Sequence, residues 1–246
     1  MPSVRRTLLS SVAFPVACLA ASPGMAQTCV ASSGAKPPAV VELYTSEGCS
    51  SCPPADQWLS TLKHREGVLA LSFHVNYWNH LGWRDPFATP ETTSRQYRLK
   101  DALRGKYVYT PQVVLNGRDH RSWAGQSPAQ LAPLAAEGAP GLRLSREGSQ
   151  VTAQLDASAS HARLAGYWAV LQDGIVSKVT RGENAGEALR HDHVVSLYQP
   201  VEPWDGHARH STRLTVPGDR PGRVAFVVTT PDLVRPLQAL VLQCPS

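Results

Sequence analysis

Cys49 and Cys52, three positions apart, are the residues of this sequence with the most chemistry to offer. They follow a short apolar, β-branched run, Ala39 to Thr45, and the turn residues Ser46-Glu47-Gly48, and they precede Pro53-Pro54. Proline is tolerated in the first turn of a helix, where its missing N–H has no partner to lose. A helix is therefore expected to begin at the second cysteine and to run through Asp56 and Leu62. The unpaired N–H groups and the dipole of such a turn favour negative charge. They lower a thiol's pKa, and the thiolate is the nucleophile. Cys49 is the expected attacking sulfur, exposed at the positive end of the helix. Cys52 is the expected resolving sulfur, with exchange passing through a mixed disulfide.

The same pair admits other readings. Haem attachment requires His after the second cysteine, and Pro53 stands there. A four-ligand zinc site needs two further ligands at suitable spacing, and His74 and His80 fit no common pattern. Copper(I) binding by soft thiolates and a permanent structural disulfide both remain open. No metal and no organic cofactor is expected.

Residues that could serve the pair lie nearby. Glu42 sits inside an apolar strand; buried near the cysteines it would have a raised pKa and could shuttle the resolving thiol's proton, whereas in an ion pair or in solvent it would not. His74, Asn76 and Trp78 alternate along a second strand, expected over Val68 to Trp78, and one face of it could line the site. Trp83 lies in a loop that could form a lid or simply a plug. His191-Asp192-His193, and His207 with His210, invite a metal reading, but nothing else stands at ligand spacing.

The elements that must position these groups change in texture along the chain. Up to Gly138 the pattern alternates strands and helices: a helix over Glu91 to Leu103, a strand over Gln112 to Leu115, the hairpin signal Asn116-Gly117 with a return strand near His120, and a helix opened by Ser127 and ending at Glu137. Beyond Gly138-Ala139-Pro140-Gly141, short alternating runs separated by turns read as an all-β, sandwich-like domain. The N-terminus carries Arg5-Arg6, an apolar stretch and Gly24-Met25-Ala26, the pattern of an export signal cut after Ala26. This predicts a signal over 1–26, a leader over 27–36, and domains over 37–138 and 139–246. The protein is expected in the periplasm or secreted, with no membrane span in the mature chain.

Cleavage would remove Cys18 and leave Cys29, Cys49, Cys52 and Cys244. Cys49 and Cys52 are too close to be anything but a local pair, so Cys29 and Cys244 are expected to staple the two ends. In the loop-entropy model so long a closure is worth roughly 4–5 kcal/mol. The formal charge of +5 falls to +3 without the two signal arginines. With no run of like charge, nucleic-acid binding gains no support.

The stretch Val40 to Trp123 contains VELYTSEGCSSCPPAD, HVNYWNHLGWRDPF and YVYTPQVVLNG, and resembles a family of exported thioredoxin-like bacterial proteins known as domain of unknown function 1223. Gly182-Glu183-Asn184 and His191 to Val195 extend the likeness. Tyr44-Thr45-x-x-x-Cys is similar to glutaredoxins. The resemblance implies an α/β thioredoxin-like domain followed by the all-β domain, α+β overall. It implies that Thr110-Pro111 forms a cis-proline loop shaping a substrate groove opposite the cysteines. It also implies thiol–disulfide exchange with exported proteins or small thiols as partners.

Overall fold

The computed structural model describes residues 29–217 and 222–244; the expected export signal lies outside them. The first half supplies β1 (Cys29–Ser32), β2 (Ala39–Thr45), α1 (Pro53–Ser60), β3 (Val68–His74), α2 (Pro90–Ala102), β4 (Gln112–Leu115) and β5 (Arg118–Asp119). The second supplies β6 (Leu142–Glu147), β7 (Gln150–Leu155), β8 (Arg163–Gln172), β9 (Ile175–Lys178), β10 (Ala188–His191), β11 (Val194–Asp205), β12 (His210–Thr215), β13 (Arg223–Thr229) and β14 (Pro236–Leu242). One sheet of eight strands runs in the order β14-β13-β8-β11-β3-β2-β4-β5; a second of four runs β1-β6-β7-β12; β9 and β10 form a separate ribbon.

This overturns the expected fold class. The chain is mostly β, with two α-helices among the described residues, and not an α/β thioredoxin-like domain followed by a separate β domain. β3 leaves an open edge, and β11 fills it in parallel, with Val194 opposite Ser72 and the Ser72 N–H donating to the His193 carbonyl at 2.8 Å. An unpaired edge is a liability, and the second half of the chain removes it by extending the same sheet. Two local expectations also fail. The Ser/Gly/Pro-rich leader contributes β1, paired antiparallel to β6. The helix expected from Ser127 to Glu137 shrinks to one 3₁₀ turn, Pro128–Gln130, because Pro133 would break it.

The other local signals produce the elements they imply. β2 and β3 are parallel, so a crossover must join them, and α1 is that crossover. Thr89 caps α2 with its side chain and with Thr92 as reciprocal partner, and Pro90 occupies the first turn. Asn116 and Gly117 both have positive φ, 51° and 78°, which suits the tight hairpin between β4 and β5. A Cβ on Gly117 would also lie 2.7 Å from the Val234 carbonyl oxygen.

The large sheet has a core on each face. One face buries Val40, Tyr44, Leu71, Phe73, Tyr167, Ala169 and Val227 together with Leu99 of α2. On the other, α1 covers Val41, Leu43 and Ala70. Farther along, the four-stranded sheet covers Trp168, Val170, Phe226 and Val228. Cys29 and Cys244 are joined, Cα to Cα 5.7 Å, at the border of that last core.

Strand periodicity puts Glu42 with Val40 and Tyr44, on the face opposite α1. Glu42 therefore meets Arg95 of α2 at 2.5 Å, and its oxygens accept from the Tyr44 hydroxyl at 2.9 Å and the Tyr167 hydroxyl at 2.8 Å. Arg95 also donates to the Leu233 carbonyl at 3.1 Å and lies 4.1 Å from the centre of the Tyr167 ring. Burial and the Glu42 charge push the Tyr44 and Tyr167 hydroxyls well above their usual pKa, so both remain donors. The carboxylate expected to serve the cysteines is thus held in a buried ion pair across the sheet from them.

Removing one partner of such a pair strands the other charge, at a cost of about 3–5 kcal/mol. Arg95→Met is expected to lower unfolding free energy by that amount in urea titration, and adding Glu42→Gln to restore part of it. An unchanged midpoint in Arg95→Met would show the pair to be structurally idle.

Candidate functional site

Cys52 is the N-cap of α1, and its N–H donates to the Cys49 carbonyl at 3.1 Å. The two sulfurs are joined, with Cα atoms 5.4 Å apart. Gly48 precedes them because Trp78 allows nothing larger: a Cβ there would come within 2.9 Å of the Trp78 Cβ. The Trp78 indole in turn donates to Thr110 Oγ1 at 2.8 Å, and Thr110-Pro111 is a cis peptide. The cysteine turn and the proline loop are thus linked through one tryptophan.

The expected exposure of Cys49 is not observed. Ser50 and Ser51 face solvent, but Cys49 and Cys52 are both 0% exposed. The loop between β9 and β10 closes over the turn. The Glu183 carboxylate accepts from the Ser50 N–H at 2.9 Å and from its hydroxyl at 2.8 Å. Asn184, itself buried, donates to the carbonyls of Glu47 at 2.9 Å and Cys49 at 3.0 Å. The cover is polar, and Ser51 Oγ lies 3.4 Å from the Cys49 sulfur.

Beneath the turn lies a buried network of acids and histidines. Glu47 accepts from the Trp83 indole at 2.7 Å and lies 3.1 Å from His191 Nε2. Its own N–H donates to Asp85 at 2.9 Å. Asp85 lies 2.7 Å from His74 Nδ1 and also accepts from the Phe87 N–H at 2.9 Å. Asp56, one turn into α1, accepts from the Thr45 hydroxyl at 2.8 Å. Burial alone would raise Glu47 and Asp85. Hydrogen bonds from His191, Ser177 and Trp83 instead hold Glu47 below the ordinary carboxyl value, and His74 does the same for Asp85. His191 is opposed by burial, yet the Asp56 and Glu47 carboxyls raise it to about 9. Of the two, Glu47 is within hydrogen-bond reach, whereas Asp56 at 3.9 Å acts through charge.

Of the residues expected to line the site, His74, Trp78 and Trp83 are brought to it. Asn76 is drawn away to α2, where its N–H and side chain both engage the Thr93 hydroxyl at 3.0 Å. His193 turns to Arg223 and Asp173. His207 and His210 lie elsewhere, His207 on the Ser158 carbonyl and His210 stacked on Trp204. Glu47, Asp56, Asp85, Glu183 and Asn184 carry no site expectation from residue type and spacing, and His191 carries only the metal reading that nothing else at ligand spacing supports. For three of them a sequence signal existed: Glu183, Asn184 and His191 fall in the two distal motifs of the family resemblance.

The family described as "Protein of unknown function (DUF1223)" matches residues 40–230. Among solved structures, the chain resembles protein AGR_C_4864 from Agrobacterium tumefaciens, with 29% identity, a TM-score of 0.65, and coverage of 85% of this chain and 97% of that one. It also resembles HBP35 of Porphyromonas gingivalis, with 15% identity, a TM-score of 0.53, and coverage of 84% of this chain and 75% of that one; at that identity the likeness concerns the fold alone. No curated protein matches the chain.

The cover yields a measurable gate. Two buried hydrogen bonds, each worth about 0.5–1.5 kcal/mol net, hold Asn184 down, so Asn184→Ala is expected to speed phosphine reduction of Cys49–Cys52 by roughly ten-fold. Ser50 holds the Glu183 carboxyl below its usual pKa. That clasp is fully present above the ordinary carboxyl range and is lost as pH falls through the lowered value. Glu183→Gln should therefore be reduced faster than the parent at neutral pH, with the ratio closing to one in acid. A ratio independent of pH would rule out an ionic clasp.

Proposed function

The chain belongs to the DUF1223 family, and on that premise we propose that it is a thiol–disulfide oxidoreductase acting through Cys49 and Cys52. The observation that carries the reading is the position of the pair: a Cys-x-x-Cys disulfide at the turn from β2 into α1, with Cys52 at the N-cap. Electrostatics there favour a thiolate. In the reduced protein the Cys49 thiolate attacks one sulfur of a substrate disulfide, forming a mixed disulfide and releasing the other sulfur as a thiolate. Cys52, losing its proton, then attacks the Cys49 sulfur. The Cys49–Cys52 bond forms, the second substrate thiolate leaves, and two electrons have passed to the substrate. The reverse sequence oxidises a dithiol.

Because the oxidised pair is closed over, exchange requires the 182–184 loop to lift. The export pattern supports an activity outside the cytoplasm, where disulfides persist, with exported protein thiols or small thiols as the proposed substrates. No helix among the described residues is long and apolar enough to cross a membrane. The complete burial of Cys49 favours a second reading, a permanent disulfide that fixes the start of α1.

Equilibration of the pair in glutathione buffers separates the two. Exchange chemistry is expected to give a potential above about −300 mV, while a structural bridge falls below it. The Cys52→Ala protein should also accumulate mixed disulfides through Cys49. A closed bridge at every physiological poise, with no trapped partner, would leave only the structural role.

A further inference from the structure

We propose that Asp56, His74 and His191 form a binding site for a first-row transition dication of the Zn²⁺ class, buried beneath the cysteine turn. The three residues come from α1, the end of β3 and the end of β10. Each offers one ligand atom, and the three atoms lie within 4.8 Å of one another. All three residues are less than a tenth exposed.

Two features point to a ligand rather than to a settled polar core. First, His74 Nε2 and His191 Nδ1 are both buried with no hydrogen-bond partner, which a native structure rarely tolerates without reason. Second, the far nitrogen of each ring is held by a carboxylate. His74 Nδ1 lies 2.7 Å from Asp85 and His191 Nε2 lies 3.1 Å from Glu47. A carboxylate can only accept, so these nitrogens carry the proton and each ring's other nitrogen is directed to the shared point. Metal-binding histidines are oriented by outer carboxylates in this same way.

The donor set of two imidazoles and one carboxylate selects late first-row dications over Mg²⁺ or Ca²⁺. Metal–ligand bonds of about 2.0–2.2 Å ask the three side chains to draw together slightly. Binding at Nδ1 displaces whatever proton His191 carries there, which leaves as H⁺. Three carboxyl groups, Glu47, Asp56 and Asp85, surround the two rings, so a dication also balances charge that is costly to bury alone. Phe87, its ring centre 5.2 Å from His74 and 5.8 Å from His191, closes the apolar side.

The site uses no sulfur and does not depend on the exchange chemistry proposed above. The test is Zn²⁺ titration by calorimetry of the chelator-treated protein carrying Cys18→Ser, with Cys49–Cys52 kept oxidised and free thiol shown to be absent. One ion per chain is expected. His191→Gln and Asp56→Asn should each weaken binding by at least about 100-fold, the upper end of what outer partners alone cost, and His207→Gln should leave it unchanged. Should either site variant fail to fold, Co²⁺ absorption of the parent protein still decides: ligand-field bands without thiolate charge transfer are expected. Absence of stoichiometric binding, equal affinity in folded His191→Gln, or binding that arises only after reduction would each overturn the site.

Discussion

The short parallel contact between β3 and β11 is the constraint from which the rest follows. A single register pair, Ser72 with Val194, fixes where the second half of the chain meets the first. Strand geometry leaves little freedom there, since a slip of one residue turns every side chain to the opposite face. With this register, His191 at the end of β10 arrives beside His74 at the end of β3, their ring centres 5.0 Å apart. The ribbon leading to it carries Glu183 and Asn184 over the cysteines. The candidate site is therefore a product of both halves of the chain. Neither the Cys49 turn nor the 182–193 segment contains it alone.

Local signals in the sequence were readable because their physics is local. The prolines after Cys52 and the Asn116-Gly117 turn each specify a conformation within a few residues, and the structure has both of them. The joint between β3 and β11 is not written in either strand. Val194 and Ser72 look like any half-buried strand residues, and an alternating pattern says that a strand has a partner without saying which one. The same limit hides that β8, β11, β13 and β14, whose alternating patterns suit a separate sandwich-like domain, extend the first sheet instead. Glu42 is the instructive intermediate case. Periodicity does group it with Val40 and Tyr44, but which of the two faces receives α1 is decided only by packing.

The site shows a related division. Cys49, Cys52, His74, Trp78 and Trp83 stood out by type and position. Glu47 and Asp85 did not, because an acid in a turn next to glycine or proline usually reads as a solvated one. Their roles come from burial: each holds an imidazole on one side and a backbone or indole N–H on the other. Low dielectric makes such a network costly unless it is fully satisfied, and the two unpartnered ring nitrogens are the places where it is not.

The bridge between Cys29 and Cys244, 215 residues apart, makes almost the whole described chain a covalent ring. A protease that severs any surface loop inside it, such as the irregular stretch around 131–141, opens the ring without dividing the molecule. The two pieces stay covalently joined until reductant is added, so a cut that would make two chains of a linear protein leaves this one connected at its ends.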